Sequence, residues 1–294
     1  MQAAIDFGIS NVDAVAQING ELRRWSQPAE RQPDPAFVRS ILMNGGVDLG
    51  KLPQLAVTGG RHRGLPAAID QCAVIGVSEI AAIGRGGQAL VGPPHDAPVL
   101  VVSAGSGTAV VAARGNHFEH ITGSGVGGGT LLGLGRLLLR TVNPGEINFL
   151  ALQGNPNGAD LSLGDVISGP IGQLPADATA VNFGRLAREN RVVSREDLAA
   201  ALVTLVGQVI AVTAINAARA QQIERVVVIG HLTDMPSVRK VLEQVGDYYG
   251  MRLTLPSHAG YATAFGALLH ATTDGFSPAA PEAPVSQIDI MLRR

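Results

Sequence analysis

The chain has 294 residues, 37 of them glycine; with 46% apolar residues and no three-residue glycine period it predicts two folded domains and excludes disorder and collagen. A net charge of −2 and only 4% aromatics exclude the basic stripe and the stacking platforms of a nucleic-acid binder. The single cysteine, Cys72, excludes a disulfide framework and a multi-cysteine zinc site, and the scattered histidines form no His-x-x-x-His or Glu-flanked pair, so a metal site built from them is not expected. The start, Met1–Asp6, has no basic or long apolar stretch, and the apolar run 199–214 is broken by Gly207 and Gln208. A soluble cytoplasmic protein without a membrane span is expected.

In chain order, Gln2–Ile5 and Asp13–Gln17 are short strands around a polar turn, and Gln54–Thr58 is a third, stopped by Gly59 and Gly60. A proline-rich loop is expected at 27–35 and another at 92–98. Pro98–Ser103 and Thr108–Ala113 flank Gly105-Ser106-Gly107 and repeat the opening strand–turn–strand arrangement. Leu131–Val142 carries leucines at helical spacing, and Ser194–Ala220 is a long helix with a capping box, Ser194 to Asp197. Arg225–Ile229 is a buried strand ending at Gly230, followed by a helix over Pro236–Tyr249. Strands alternating with helices predict an α/β fold, and the repeated hairpin predicts two similar halves facing across a cleft. The boundaries expected are 1–98, 99–276 and a Pro/Ala-rich tail, 277–294.

Three glycine-bearing turns carry the chemistry. Around Asp6, the turn Gly8-Ile9-Ser10-Asn11 exposes backbone N–H groups suited to phosphate, and the aspartate can hold a magnesium ion; an ordinary hairpin has the same local sequence. Gly105-Ser106-Gly107-Thr108 is a second such turn, weak alone and informative as a pair with the first. Gly127-Gly128-Gly129-Thr130 runs into the leucine helix, where free N–H groups and the positive end of the helix dipole favour an anion. No Gly-Lys-Ser/Thr follows, so it is not a Walker A loop.

These three blocks, with Val181-Asn182-Phe183-Gly184, Val228-Ile229-Gly230 and Gly260–Leu269, resemble the type II pantothenate kinases of the acetate and sugar kinase/Hsp70/actin superfamily, over roughly residues 1 to 270. The resemblance implies two actin/Hsp70-like (ribonuclease H-like) domains flanking a nucleotide cleft, and a cytoplasmic homodimer that phosphorylates pantothenate with ATP and Mg2+. It implies that Asp6 organises the metal and that the nucleotide meets Gly8, Ser10, Asn11, Gly105, Ser106, Gly107, Thr108, Gly127, Gly128, Gly129, Thr130, Gly230 and His231. It turns Glu79, His120 and Ser106 toward the acceptor, with Glu79 as the base.

Three departures from the family pattern stand out. Ile9 replaces the second glycine of the first loop, and a β-branched residue resists positive φ, so that loop is expected to hold phosphate differently. Val77 falls where the family has its catalytic glutamate, leaving Glu79 to reach in from two residues further on. His120 stands where an arginine binds the pantothenate carboxylate, and a mostly neutral imidazole weakens that recognition. Arg61 and Arg63 are further candidate substrate contacts. Two alternatives stay open: a nucleotide-binding regulatory or scaffolding homodimer without turnover, and a kinase for another small hydroxyl substrate.

Overall fold

The computed structural model describes residues 1–93, 97–188 and 192–273, so the proline-rich tail and part of the 92–98 loop lie outside the described residues. The first sheet contains β1 (Gln2–Phe7), β2 (Asn11–Ile18), β3 (Glu21–Pro28), β4 (Gln54–Thr58), β5 (Ala68–Ile69) and β6 (Cys72–Gly76), in the order β3-β2-β1-β4-β6-β5. The second contains β7 (Val99–Ala104), β8 (Thr108–Arg114) and β9 (His117–Ser124). A two-stranded sheet, β10 (Leu161–Ser162) and β11 (Thr179–Val181), lies apart, and β12 (Val226–Ile229) with β13 (Leu253–Thr254) completes the second sheet as β13-β12-β7-β8-β9.

The two larger sheets share one plan. In each, three antiparallel strands in chain order are extended on one side by two parallel strands: β3-β2-β1 then β4-β6, and β9-β8-β7 then β12-β13. The expected repeat of α/β halves is therefore present in topology as well as in local sequence. Central strands β1 and β7 are nearly all buried, as strands covered on both faces must be.

The described residues form eight α-helices: α1 (Pro35–Asn44), α2 (Glu79–Val91), α3 (Gly128–Leu139), α4 (Pro144–Gln153), α5 (Leu163–Ile167), α6 (Arg195–Gln221), α7 (Pro236–Tyr249) and α8 (Ala262–Thr273). Helix α1 starts where Asp34 accepts the N–H of Phe37 and Pro35 fills the first turn. For α6, Ser194 accepts the N–H of Asp197, but only half the expected capping box forms. The Asp197 carboxylate is instead taken by the N–H of Asn155 at 2.8 Å. Helix α6 is long and apolar enough to cross a membrane, yet it packs as the core helix of the second lobe, burying fourteen of its residues. Helix α3 begins three residues before the expected Leu131, because the Thr130 hydroxyl caps its first turn, and ends at Arg140 in the left-handed region.

Helices α2 and α8 lie between the lobes. Helix α2 follows the first sheet in the chain, yet its Ile83 packs on Val99, Val101, Val111 and Val227 of the second. Helix α8 follows the second sheet, yet Ala264, Ala267 and Leu268 pack on Ala4, Val15 and Ala56 of the first. The expected division at residues 98 and 99 falls between the two sheets, and the packing of these helices crosses it. They approach so closely that a Cβ at Gly86 would lie 2.0 Å from the carbonyl of Ala262, and one at Gly266 would lie 1.9 Å from that of Ala82. Small residues thus bring the helix backbones together with no side chains between them.

Candidate active site

A cleft of about 390 Å³ opens between the lobes and gathers residues from both hairpins. From the first lobe come Asp6, Gly8, Ile9, Ser10, Asn11, Asp13 and, at the first position of α2, Glu79. The second lobe supplies Gly105, Ser106, Gly107 and Thr108, with Gly128, Gly230 and His231 behind them. No lysine or arginine is among these lining residues.

The β1–β2 hairpin pairs Asp6 directly with Asp13, so two carboxylates stand side by side on one face of the sheet. Burial first, and then the charges of Asp13 and Glu79, push the Asp6 carboxyl up to about 8, against a smaller pull from His231. On the other side of β1, Asp6 is in register with Thr58, whose hydroxyl is fully buried and has no hydrogen-bond partner. Once it gives up its proton, the Asp6 carboxylate at the cleft is a hard oxygen ligand of the kind a divalent cation takes, and a cation would relieve the crowding of Asp6 by Asp13 and Glu79. The turn itself needs no left-handed residue at Ile9, because Gly8 supplies the tight approach: a Cβ there would sit 2.7 Å from the carbonyl of Asn11. Ile9 adopts no positive φ, and its side chain lies at the rim of the cleft, 77% exposed.

The second loop is packed by glycine from several sides. A Cβ at Gly127 would lie 2.8 Å from Gly105 and Gly107, one at Gly129 would lie 3.0 Å from the Ser106 carbonyl, and one at Gly230 would lie 2.3 Å from that of Ala104. The N–H groups of Gly128 and Gly129 donate to the carbonyls of Gly105 and Ser106, both at 2.8 Å. This corrects the expectation of free N–H groups at the start of α3, since two of them are spent holding the neighbouring loop. Thr130 is likewise occupied, its hydroxyl donating to Gly125 and accepting from Gly127. Of this block only Gly128 reaches the cleft surface, and Gly127, Gly129 and Thr130 support it from behind. Across the cleft the two loops meet where the hydroxyls of Ser10 and Ser106 lie 2.8 Å apart.

The remaining candidates separate. Val77 is buried in the core at 3% exposure, so no carboxylate is needed there, while Glu79 enters the cleft. His120 is exposed on the edge strand β9 and does not line the cleft, because strand alternation and the bulge between Val110 and Val111 direct it elsewhere. Arg61 does not line it either: its guanidinium donates to the carbonyls of Ala29 and Arg31. Arg63 is also outside the lining.

Asp13, Asp234 and the true surroundings of His231 were not expected from the sequence. His231 Nε2 lies 2.9 Å from Asp13 Oδ1, and Nδ1 lies 2.8 Å from Asp234 Oδ2. Burial pulls the imidazole pKa down, but the bonds and charges of the two carboxylates outweigh it and push it up to about 10. The signal for Asp13 was available, since a symmetric hairpin about residues 9 and 10 sets it opposite Asp6. Its meeting with residue 231 was not.

Two repeated α/β lobes with their hairpin loops facing across a cleft define the fold of the acetate and sugar kinase/Hsp70/actin superfamily. Among solved structures, an activator of 2-hydroxyisocaproyl-CoA dehydratase from Clostridium difficile, with bound ADPNP, superposes at a TM-score of 0.61 and 14% identity, covering 95% of this chain and 99% of its own. A ROK family glucokinase from Streptomyces griseus, in complex with glucose and AMPPNP, gives 0.55 and 13%, covering 92% and 98%. Within that fold the chain belongs to the Fumble family, whose model matches residues 90–270. A type II pantothenate kinase of Oceanobacillus iheyensis is 30% identical over 217 residues, 72% of this chain and 80% of the relative. One from Bacillus cereus (strain G9842) is 27% identical over 225 residues, 75% and 82%.

Proposed function

We propose that this protein is an ATP-dependent small-molecule kinase of the type II pantothenate kinase kind, acting in coenzyme A biosynthesis on pantothenate or a related hydroxyl compound. The observation that carries the reading is the joint lining of one cleft by Asp6, Glu79 and two hairpin loops, in a chain that matches those kinases over about three quarters of its length. The loops around Ser10 and Ser106 offer backbone N–H groups and hydroxyls to the ATP phosphates. Asp6, with Thr58 beside it, would hold magnesium, which when bound neutralises phosphate charge. Glu79 takes the proton of the acceptor hydroxyl as it attacks, from the start of α2. Residues 1–98 and 99–276 act as two lobes, with α2 and α8 exchanged between them.

An assay with ATP, magnesium and pantothenate tests this. Turnover is expected, with Glu79→Gln lowering kcat by about 10²–10⁴-fold, the range of a general base. ATP binding without transfer to pantothenate would sink the pantothenate assignment. Transfer to other hydroxyl compounds alone would identify another acceptor, an outcome favoured by the position of His120 outside the cleft.

The same reading makes the protein a cytoplasmic homodimer that binds neither nucleic acid nor membrane. Support for the dimer comes from Leu137, Leu138, Phe149 and Leu152, large apolar side chains exposed on α3 and α4. Sedimentation should show a dimer that Phe149→Glu converts to monomer; a monomeric wild-type protein overturns it.

A further inference from the structure

Asp13 belongs to β2 of the first lobe, and His231 follows β12 of the second. Their 2.9 Å contact is therefore a bond between lobes, made inside the cleft by a buried Asp13, 7% exposed, and a half-buried His231. Both ring nitrogens face a carboxylate oxygen, an arrangement that favours the imidazolium with both N–H groups donating. The site is shaped to the ring. Tyr261 meets it edge-on with centroids 5.4 Å apart, and a Cβ at Gly260 would come within 2.3 Å of Nδ1. Asp234, by contrast, bonds the same imidazolium from within the second lobe and is half exposed.

We propose that His231 is a positioning residue that fixes the two lobes in register through Asp13, so that Asp6 and Glu79 on one side and the Ser106 loop on the other face the same reacting phosphate. The inference rests on reading the cleft as a phosphoryl-transfer site. Transfer needs groups from both lobes aligned within a fraction of an ångström, and only rigid supports keep them so. Helices α2 and α8 supply a close crossing between the lobes, with small side chains, Ala82 against Ala264 and Ala267, packed around the glycine contacts. The Asp13–His231 bond adds a directional polar tie at the cleft, beside the entry to α8, where it opposes relative movement of the two lobes. Asp234 bonds the other ring nitrogen from within the second lobe and does not reach the first.

The test compares His231→Gln, Asp13→Asn and Asp234→Asn in the full chain, with folding checked by circular dichroism. At saturating ATP, His231→Gln and Asp13→Asn should each lower kcat by about tenfold or more, and the double variant should fall no further than the worse single one. Asp234→Asn should stay within about twofold of wild type, as an exposed pair does. Equal effects of Asp13→Asn and Asp234→Asn, or singles that multiply in the double variant, overturn the proposal. Small-angle scattering of the nucleotide-free protein gives a readout independent of turnover. The radius of gyration should rise in His231→Gln and Asp13→Asn but not in Asp234→Asn; no change in any of them removes the tie itself, even if the wild type proves to be no kinase. Should His231→Gln fail to fold, Asp13→Asn carries both measurements.

Discussion

The two lobes build the same hairpin and use it differently. In the first lobe the β1–β2 turn is open to solvent at Ile9, and it brings the side chains of Asp6, Asp13 and Ser10 to the cleft. In the second lobe the β7–β8 turn is enclosed by Gly127, Gly128, Gly129 and Gly230, and two of its carbonyls accept N–H groups from the start of α3. The difference follows from what lies between the parallel strands. Residues 29–53 join β3 to β4 with one α-helix, whereas residues 125–225 join β9 to β12 with four, and the first of those, α3, docks on the loop. One loop is thus a carrier of charge with little support, the other a rigid backbone cradle with almost no charge.

The sharpest way to break this comparison is at the charged loop. Asp6→Asn should reduce turnover by about 10³-fold, the scale at which removal of a transition-state charge stabiliser acts. The same substitution should make the free protein more stable. The folded carboxyl is raised to about 8 from an ordinary value of 3.8, so between those limits the folded state holds a proton that the unfolded state releases. Stability therefore falls as pH rises through that window in the wild type and not in the variant. Thermal melts without magnesium should show the variant's advantage growing from about pH 4 to 8 and then levelling; an advantage constant with pH contradicts the raised carboxyl.

That destabilised carboxyl also marks the limit of what could be read from the residues. The hairpins, the central strands, α6 and α7 were legible because their apolar runs and caps are local properties. Strands β3 and β9 lacked a signal, being edge strands with mostly exposed residues such as Arg23, Arg24, Glu119 and His120. Helices α2 and α8 were hidden by their own glycines, Gly84, Gly86 and Gly87 in one and Gly266 in the other, which count against a helix until the crossing is seen. At the cleft, Asp6 and the Ser106 loop were legible from the repeated strand–turn–strand pattern, and Glu79 only through the family resemblance. The spent N–H groups of Gly128 and Gly129 were not, and nor was the His231–Asp13 bond, because both depend on how distant segments approach.

The cradle can be broken next. Gly127→Ala places a methyl group 2.8 Å from the backbone of the second loop and should cost about 1–3 kcal/mol, the usual penalty for overpacking, while raising KM for ATP. At Gly133, in the same helix, an added methyl group would meet nothing within 4 Å, and Gly133→Ala should instead stabilise by about 1 kcal/mol through helix propensity. Denaturant titration of the two variants separates docking from propensity; equal signs would show that α3 does not hold the loop.

A smaller effect joins the two lobes. The His231 imidazole is raised from 6.5 to about 10 in the folded state, so its contribution to stability is complete below pH 6.5 and is lost as pH rises through 10. The gap in melting temperature between wild type and His231→Gln should therefore be widest near about pH 6 and close by about pH 10 or slightly above. A gap that persists undiminished at that pH would mean that ring packing on Tyr261, and not charge, accounts for it.

The smallest expected effect falls at Ile9, the position where the first loop departs from its family. Because the turn adopts no left-handed conformation there and the side chain is 77% exposed, nothing in the backbone demands glycine. Ile9→Gly should change stability by no more than about 0.5 kcal/mol, as surface substitutions do. Its effect on KM for ATP should stay well below that of Gly127→Ala, if the first loop meets ATP through Asp6 and Ser10 as proposed. If Ile9→Gly instead lowers KM for ATP by tenfold or more, the open loop is limited by its backbone after all. The two hairpins would then differ in degree of support and not in the kind of group they offer.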